Sequence, residues 1–142
     1  MSSPCNCLAL RQATRRVTQL YDQALAPLDL RSTQYSLLNR TDMLGPVALN
    51  RLAEALVMDR ATLGHNIRPL EARGLVRLEI GEDRRSRELS LTDAGRDLLG
   101  RARTLWAKAQ KAYEDDIGPE TASALRALLQ RVAAADFALT DA

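Results

Sequence analysis

The sequence is poor in the side chains that most catalytic chemistries need. It holds one histidine, His65, and two cysteines, Cys5 and Cys7, while its aromatics are one Trp, one Phe and three Tyr. No set of nucleophile, base and orienting group appears in the sequence. No glycine-rich phosphate loop appears, and the carboxylates are scattered over polar positions, so an enzyme fits poorly and no cofactor is expected. The scarcity of aromatics beside abundant Leu, Ala and Arg disfavours an all-β fold and favours helices. No apolar run approaches the roughly 20 residues that span a bilayer. The opening MSSPCNC lacks the basic and then apolar pattern of a signal peptide. A soluble cytoplasmic protein without a membrane partner is therefore expected, in a compartment that keeps Cys5 and Cys7 as thiols. The formal charge of +2 is almost neutral, so any affinity for nucleic acid has to come from where charge sits rather than from its sum.

What is present is helical periodicity interrupted once. From Leu8 to Ala26 the positions Leu10, Ala13, Val17, Leu20 and Ala24 form one helical face, ended by Pro27. A second helix is predicted after Ser32, with Ser32 or Thr33 as N-cap, carrying Tyr35, Leu37 and Leu38 up to the Gly45-Pro46 break. A short third helix, Val47 to Met58, turns Leu49, Leu52, Ala53 and Leu56 inward. Asp59 is then a good N-cap for a fourth helix through Ala72, with Leu63, Ile67 and Leu70 on its inner face and Gly74 as its left-handed stop.

The interruption is the stretch Leu75 to Leu91. Leu75, Arg77 and Glu79 alternate with Val76, Leu78 and Ile80, the period of a half-buried strand. A return strand is expected over Glu88 to Leu91, with Gly81 to Arg87 as the tip. Thr92 caps a long helix with Leu98, Ala102, Leu105, Ala109 and Ala112 on one stripe, and Gly118-Pro119 separates it from a last helix carrying Leu125, Leu128, Val132, Ala135 and Leu139. The expected fold is mainly α (α+β): a winged helix-turn-helix over about 31–92, with flanking helices over about 8–26 and 92–140, in a single domain of residues 1–142.

In such a unit the second short helix lays its outer face in the major groove. Its outward residues are Arg60, Thr62, His65, Asn66 and Arg68. Arg pairs bidentately with guanine, Asn with adenine, and Thr with phosphate or a thymine methyl. The alternative is a solvated helix face. The ribbon tip favours the first reading, because Arg84, Arg85 and Arg87 fall within a few residues between two strands, and a narrow minor groove attracts inserted arginine. Asp83 is expected to pair with a neighbouring arginine and fix the tip.

These residues carry a resemblance. DRRSRELSLT from Asp83, LNRLAEALVMDRATLGHNIRPLEARGLV from Leu49 and LTDAGRDLL from Leu91 resemble the wing signature and core of the MarR (multiple-antibiotic-resistance regulator) family, and the similarity extends more loosely over the whole chain. The resemblance implies a homodimeric transcription factor, usually a repressor, on a pseudo-palindromic operator in double-stranded DNA. It makes Arg85 the principal minor-groove residue, Asp83 its support, and Arg60 to Arg68 the recognition-helix readers. Gly64 and His65 stand where relatives often carry Thr or Ser and Arg. Gly64 costs on the order of 1 kcal/mol against Ala, and His65 is a weaker phosphate partner than Arg, so the operator sequence does not carry over. Pro69 deletes one helical hydrogen bond within the same helix.

The apolar stripes of the end helices have little to bury against in so small a unit, and pairing with a second subunit would supply both cover and two-fold symmetry. The resemblance also implies a cleft for a phenolic, aromatic or CoA-linked effector, lined by helices that hold Thr14, Tyr21, Gln34, Tyr35, Leu38 and Trp106; aromatics at helical spacing are equally read as core. Cys5-Asn6-Cys7 leaves three readings open: inert thiols, oxidation to sulfenic acid or disulfide, or capture of a soft metal by two such segments. Cys7, before Leu8, is the thiol placed at the helix N-terminus. Two rival functions stand beside the regulator: a winged-helix protein-interaction module that does not read DNA, and an architectural DNA binder that senses nothing.

Overall fold

The computed structural model describes residues 3–141. The elements in chain order are α1 (Asn6–Leu25), a 3-10 turn (Ala26–Leu28), α2 (Ser32–Leu44), β1 (Val47–Ala48), α3 (Leu49–Leu56), α4 (Arg60–Ala72), β2 (Val76–Ile80), β3 (Arg87–Leu91), α5 (Asp93–Ile117) and α6 (Pro119–Ala133). They fall into two units, one of residues up to Ala109 and one from Gln110 onward, with α5 running through both. The architecture is that of a winged helix-turn-helix: α3 and α4 are the helix pair, and β2 and β3 are the wing.

In the first unit the core lies among α2, α3, α4, the sheet and the start of α5. Leu25, Leu37, Leu38, Leu52, Leu63, Leu70 and Leu89 are wholly buried there, and each such burial is worth about 1.5–3 kcal/mol. The sheet is antiparallel in the order β1-β3-β2. Val47 lies opposite Leu89, and Leu78 lies across from that same leucine on the other side.

The strand β1 corrects the predicted start of α3. Val47 and Ala48 are extended, because the edge of the wing strand offers them ladder hydrogen bonds that a helix cannot share. Their partner is far along the chain, so local periodicity carries no trace of it. The wing also differs in detail. Arg87 is the first residue of β3, opposite Ile80, so the tip is Gly81 to Ser86. The strand alternation fails at both ends, since Leu75 is buried with Val76 while Ile80 is exposed. Ile80 stands where the ribbon has left the core.

Two helix termini are set by partners distant in sequence. The N-cap of α2 is Arg31, not Ser32 or Thr33. Asp22 on α1 accepts from the Ser32 N–H at 2.7 Å, and Gln34 Oε1 accepts from the Arg31 N–H at 3.0 Å. At the start of α5, Thr92 Oγ1 accepts from the Gly95 N–H at 3.1 Å and donates to the Gly74 carbonyl at 2.6 Å. A Cβ at Gly95 would collide with the Leu75 carbonyl, so glycine is what lets α5 lie against the start of the wing. That contact sets the rotation of α5: Gly95, Leu99 and Ala102 are buried, Leu98 and Leu105 only half-buried. The C-cap of α3, Val57, adopts φ 53°, an uncommon conformation for a β-branched residue, in the tight turn into α4.

In the second unit the end of α5 carries an i,i+4 pair, Lys111 to Asp115 at 2.6 Å, and Pro119 opens α6 as its first residue. The predicted last helix is too long: α6 ends at Ala133, leaving Ala135 and Leu139 outside it. Asp136 follows at the negative end of the helix dipole, where a carboxylate disfavours further turns. Ala112 is exposed rather than on a buried stripe.

Candidate nucleic-acid interface and ligand cleft

The N-terminus of α4 is built by Asp59. Its carboxylate accepts from the Thr62 N–H at 2.7 Å and the Thr62 hydroxyl at 3.1 Å, and these bonds hold it below the ordinary carboxylate range. Thr62 is thereby engaged within its own helix. Asn66 is half-buried and donates from Nδ2 to the Thr62 carbonyl at 2.8 Å. His65 and Arg68 remain fully available on the exposed face. At the other end of α4, Arg73 donates to the carbonyls of Asp29 at 2.7 Å and Leu28 at 3.1 Å. That fork ties α4 to the turn between α1 and α2.

The wing tip is organised by Asp83, although not as expected. Its carboxylate accepts the backbone N–H of Arg85 at 3.1 Å instead of a guanidinium, while its carbonyl accepts both the N–H and the hydroxyl of Ser86 at 2.9 Å. The Gly81 N–H closes the tip on the Ser86 carbonyl at 3.0 Å. Arg84, Arg85 and Arg87 are exposed on this frame.

The helix pair and the wing meet in one concave site. Arg60, Asp83, Arg85, Ser86 and Arg87 line a cleft of about 310 Å3 together with Ala48, Leu49 and Asn50. Arg60 donates to Asn50 Oδ1 across it. Arg84, His65, Asn66 and Arg68 are not among its lining residues. Ser86 and Asn50 join the cleft without a sequence signal that marks them for it. Asn50 lies on α3, and no periodicity marks it as the neighbour of a residue on the next helix.

A second cleft, of about 450 Å3, opens between α2, α3 and α5. Tyr35 and Trp106 line it, with Ser36, Asn39, Arg40 and Met58. The two rings are stacked, with centroids 5.9 Å apart and planes 14° from parallel. Burial pushes the Tyr35 hydroxyl above its ordinary value, against the charge and hydrogen bond of Arg103, which act the other way. Arg103 is itself held by Asp42 at 2.9 Å and Asn39 at 3.3 Å. The other predicted lining residues are elsewhere: Gln34 is spent on the α2 cap, Leu38 is wholly buried, Thr14 is exposed on α1 and Tyr21 half-buried there.

At the start of α1 the two thiols are exposed. Cys5, not Cys7, is the N-cap, and its sulfur accepts from the Leu8 N–H at 3.4 Å. Cys7 is already inside the helix. Among the described residues, no three or more His, Cys, Asp or Glu side chains come together as a metal set, and no helix is long and apolar enough to cross a membrane.

A helix pair with a β-ribbon at its side, both loaded with arginine on exposed positions, defines a winged helix-turn-helix regulator in form. Solved structures specify it further. The chain is 32% identical to the Mycobacterium tuberculosis transcriptional regulator MosR in complex with DNA, with a TM-score of 0.79 over 91% of this chain and 96% of that one. It is 30% identical to the transcriptional repressor CouR bound to a 23-mer DNA duplex, with a TM-score of 0.83 over 91% of this chain and 92% of that one. Escherichia coli MarR in its apo form, at 18% identity and a TM-score of 0.72 over 92% and 98% of the two chains, shares the fold. No family sequence profile and no curated protein sequence matches the chain. On these relatives the chain belongs to the MarR family of winged helix-turn-helix transcriptional regulators, a family of regulators and not of enzymes.

Proposed function

We propose that the chain is a homodimeric, sequence-specific DNA-binding repressor of a pseudo-palindromic operator. The observation that carries this reading is the shared cleft of Arg60, Arg85 and Arg87 beside the open face of His65 and Arg68. Two elements that enter different grooves thus present their cations side by side, and MosR and CouR, the relatives at 30% identity or more, are each bound to DNA. Two protomers would place their recognition helices in half-sites about one helical turn, roughly 34 Å, apart. Exposed apolar residues support the pairing: Leu8 and Leu10 on α1, and Leu125, Leu128, Leu129 and Val132 on α6.

The test is Arg85→Ala, assayed for binding to the duplex upstream of the chain's own gene at moderate salt. A loss of about tenfold or more is expected for an inserted arginine. Unchanged binding would leave a protein-interaction module as the better reading. Equal binding to an unrelated competitor duplex would favour an architectural role instead.

The releasing signal has two candidate sites in this reading. The cleft of Tyr35 and Trp106 suits an aromatic or phenolic molecule, or the acyl end of a CoA-linked one, with apolar walls from Leu56 and Met58 and polar groups from Arg40, Ser36 and Asn39. Binding there would shift α2 and α5 and change the separation of the recognition helices. The second site is the pair of thiols. Attack of a cysteine thiolate on peroxide breaks the O–O bond, oxidises the sulfur to sulfenic acid and releases water. Condensation with a second thiol then gives a disulfide and another water. Cys5→Ser keeps an oxygen cap on α1, so loss of a peroxide response in that variant or in Cys7→Ser reports thiol chemistry, and an unaltered response in both removes these thiols as the sensor.

A further inference from the structure

Arg60 and Asn50 have an arrangement that base reading does not explain. Arg60 is the first residue of α4 and its guanidinium donates to Asn50 Oδ1 on α3. It is therefore turned sideways, into the cleft under the wing, and away from the open face that His65 and Arg68 occupy. A cation at a helix N-terminus also opposes the dipole of that helix, and the Asp59 carboxylate that caps α4 is bonded to Thr62 rather than to Arg60. The cleft holds two further arginines, Arg85 and Arg87, with Ser86, against a single carboxylate, Asp83, one oxygen of which accepts the Arg85 N–H. Its floor is the start of α3, residues Ala48, Leu49 and Asn50. No side chain caps that helix N-terminus, so its first N–H groups are left for an outside acceptor.

We propose that this cleft seats one backbone phosphate of duplex DNA, and that Asn50 is the positioning residue that aims Arg60 at it. The inference rests on the DNA-binding reading and deepens it: Arg60 grips the backbone and carries no sequence information. The chemistry of position 50 follows. A neutral amide oxygen takes one of the five guanidinium N–H donors and leaves the others, and the full charge, for an anion. A carboxylate in its place would pair with Arg60, cancel its charge and repel a phosphate. Phosphate contacts fix register and orientation, whereas base edges supply discrimination, so the cleft would set the depth of the wing and leave selection to the exposed face of α4.

The experiment measures binding of wild type, Asn50→Asp, Asn50→Ala, Arg60→Ala and the Asn50→Ala/Arg60→Ala double variant, each over a range of salt. Two duplexes of equal length are used, the chain's own upstream region and a scrambled version. Asn50→Asp is expected to weaken binding to both duplexes by a similar factor, about tenfold or more. It should also lower the slope of log K against log salt by about 0.9 for each phosphate seat lost, close to 2 for a two-fold dimer. Adding Asn50→Ala to Arg60→Ala should change nothing further, because Asn50 acts through Arg60. Thermal melting should be held or raised in Asn50→Asp, since an acidic residue near the start of α3 favours that helix; a fall in affinity with intact melting therefore reports the site and not the fold. Wild type binding with an unaltered slope in Asn50→Asp overturns the phosphate seat alone, and so does a loss confined to one duplex, which would make Arg60 a base reader. Wild type that binds neither duplex overturns the DNA-binding reading and the seat with it.

Discussion

The segment from α2 to the start of α5 and the helix α6 treat their apolar residues in opposite ways. In the first, Leu37, Leu38, Leu52, Leu63, Leu70 and Leu89 have no exposed surface. In the second, Leu125, Leu128, Leu129 and Val132 are exposed by between 38% and 58%, although their spacing is just as regular. Equal periodicity with unequal burial means that amphipathicity predicts a face and not its cover. The first segment has its cover inside the chain, from three helices and a sheet. The stripe on α6 is left for something else, and the proposed dimer supplies it.

The largest break in that comparison would come from Gly95→Ala. The added methyl meets the Leu75 carbonyl, which belongs to the backbone and cannot rotate away. A loss of about 2–3 kcal/mol or more is expected, read as a lower denaturant midpoint with the slope retained. Next is Leu128→Glu on α6. It places a charge on a half-exposed apolar position and should shift the protein from dimer to monomer in analytical ultracentrifugation. An unchanged mass distribution would remove α6 from the dimer contact. Gly64→Ala sharpens the contrast within the first unit. A Cβ there meets nothing within 4 Å, so the same substitution that is costly at residue 95 should stabilise the protein by about 0.5–1 kcal/mol. The smallest effect concerns Asp59, whose carboxylate is held below its ordinary 3.8 by the Thr62 N–H and hydroxyl. A lowered folded value means its contribution is complete above about pH 4 and fades as pH falls through the folded value. Asp59→Asn keeps an N-cap acceptor and should flatten melting temperature against pH in the acid range.

The sites differ in how far they were legible for a related reason. Arg85 and Arg87 were visible because three arginines between two alternating segments are a local pattern, as was the cap at Asp59 with Gly74 as stop. Asn50 was not, since its role depends on the crossing of α3 and α4 at a turn where Val57 is left-handed. Tyr35 and Trp106, suggested by resemblance, line the cleft, and the four residues suggested with them lie outside it. Gln34 is an instructive miss: a polar residue on the right helix is consumed by the cap of that helix. The thiol expected at the start of α1 was Cys7, and the cap is Cys5, two residues earlier, whose sulfur accepts the Leu8 N–H.

The sequence by itself determined the helix order, the inner faces of α3 and α4, the arginine tip and the LTDAG start of α5. Each is written in spacings of a few residues, where one side chain meets a neighbour on the same element or the next turn. Only the tertiary structure decided that Val47 and Ala48 are strand, that Asp22 caps α2, that α5 rotates onto Leu75, and that Arg60 faces Asn50. Those depend on partners brought together from separate segments, and hydrogen bonding and close packing across such distances leave no period in the chain.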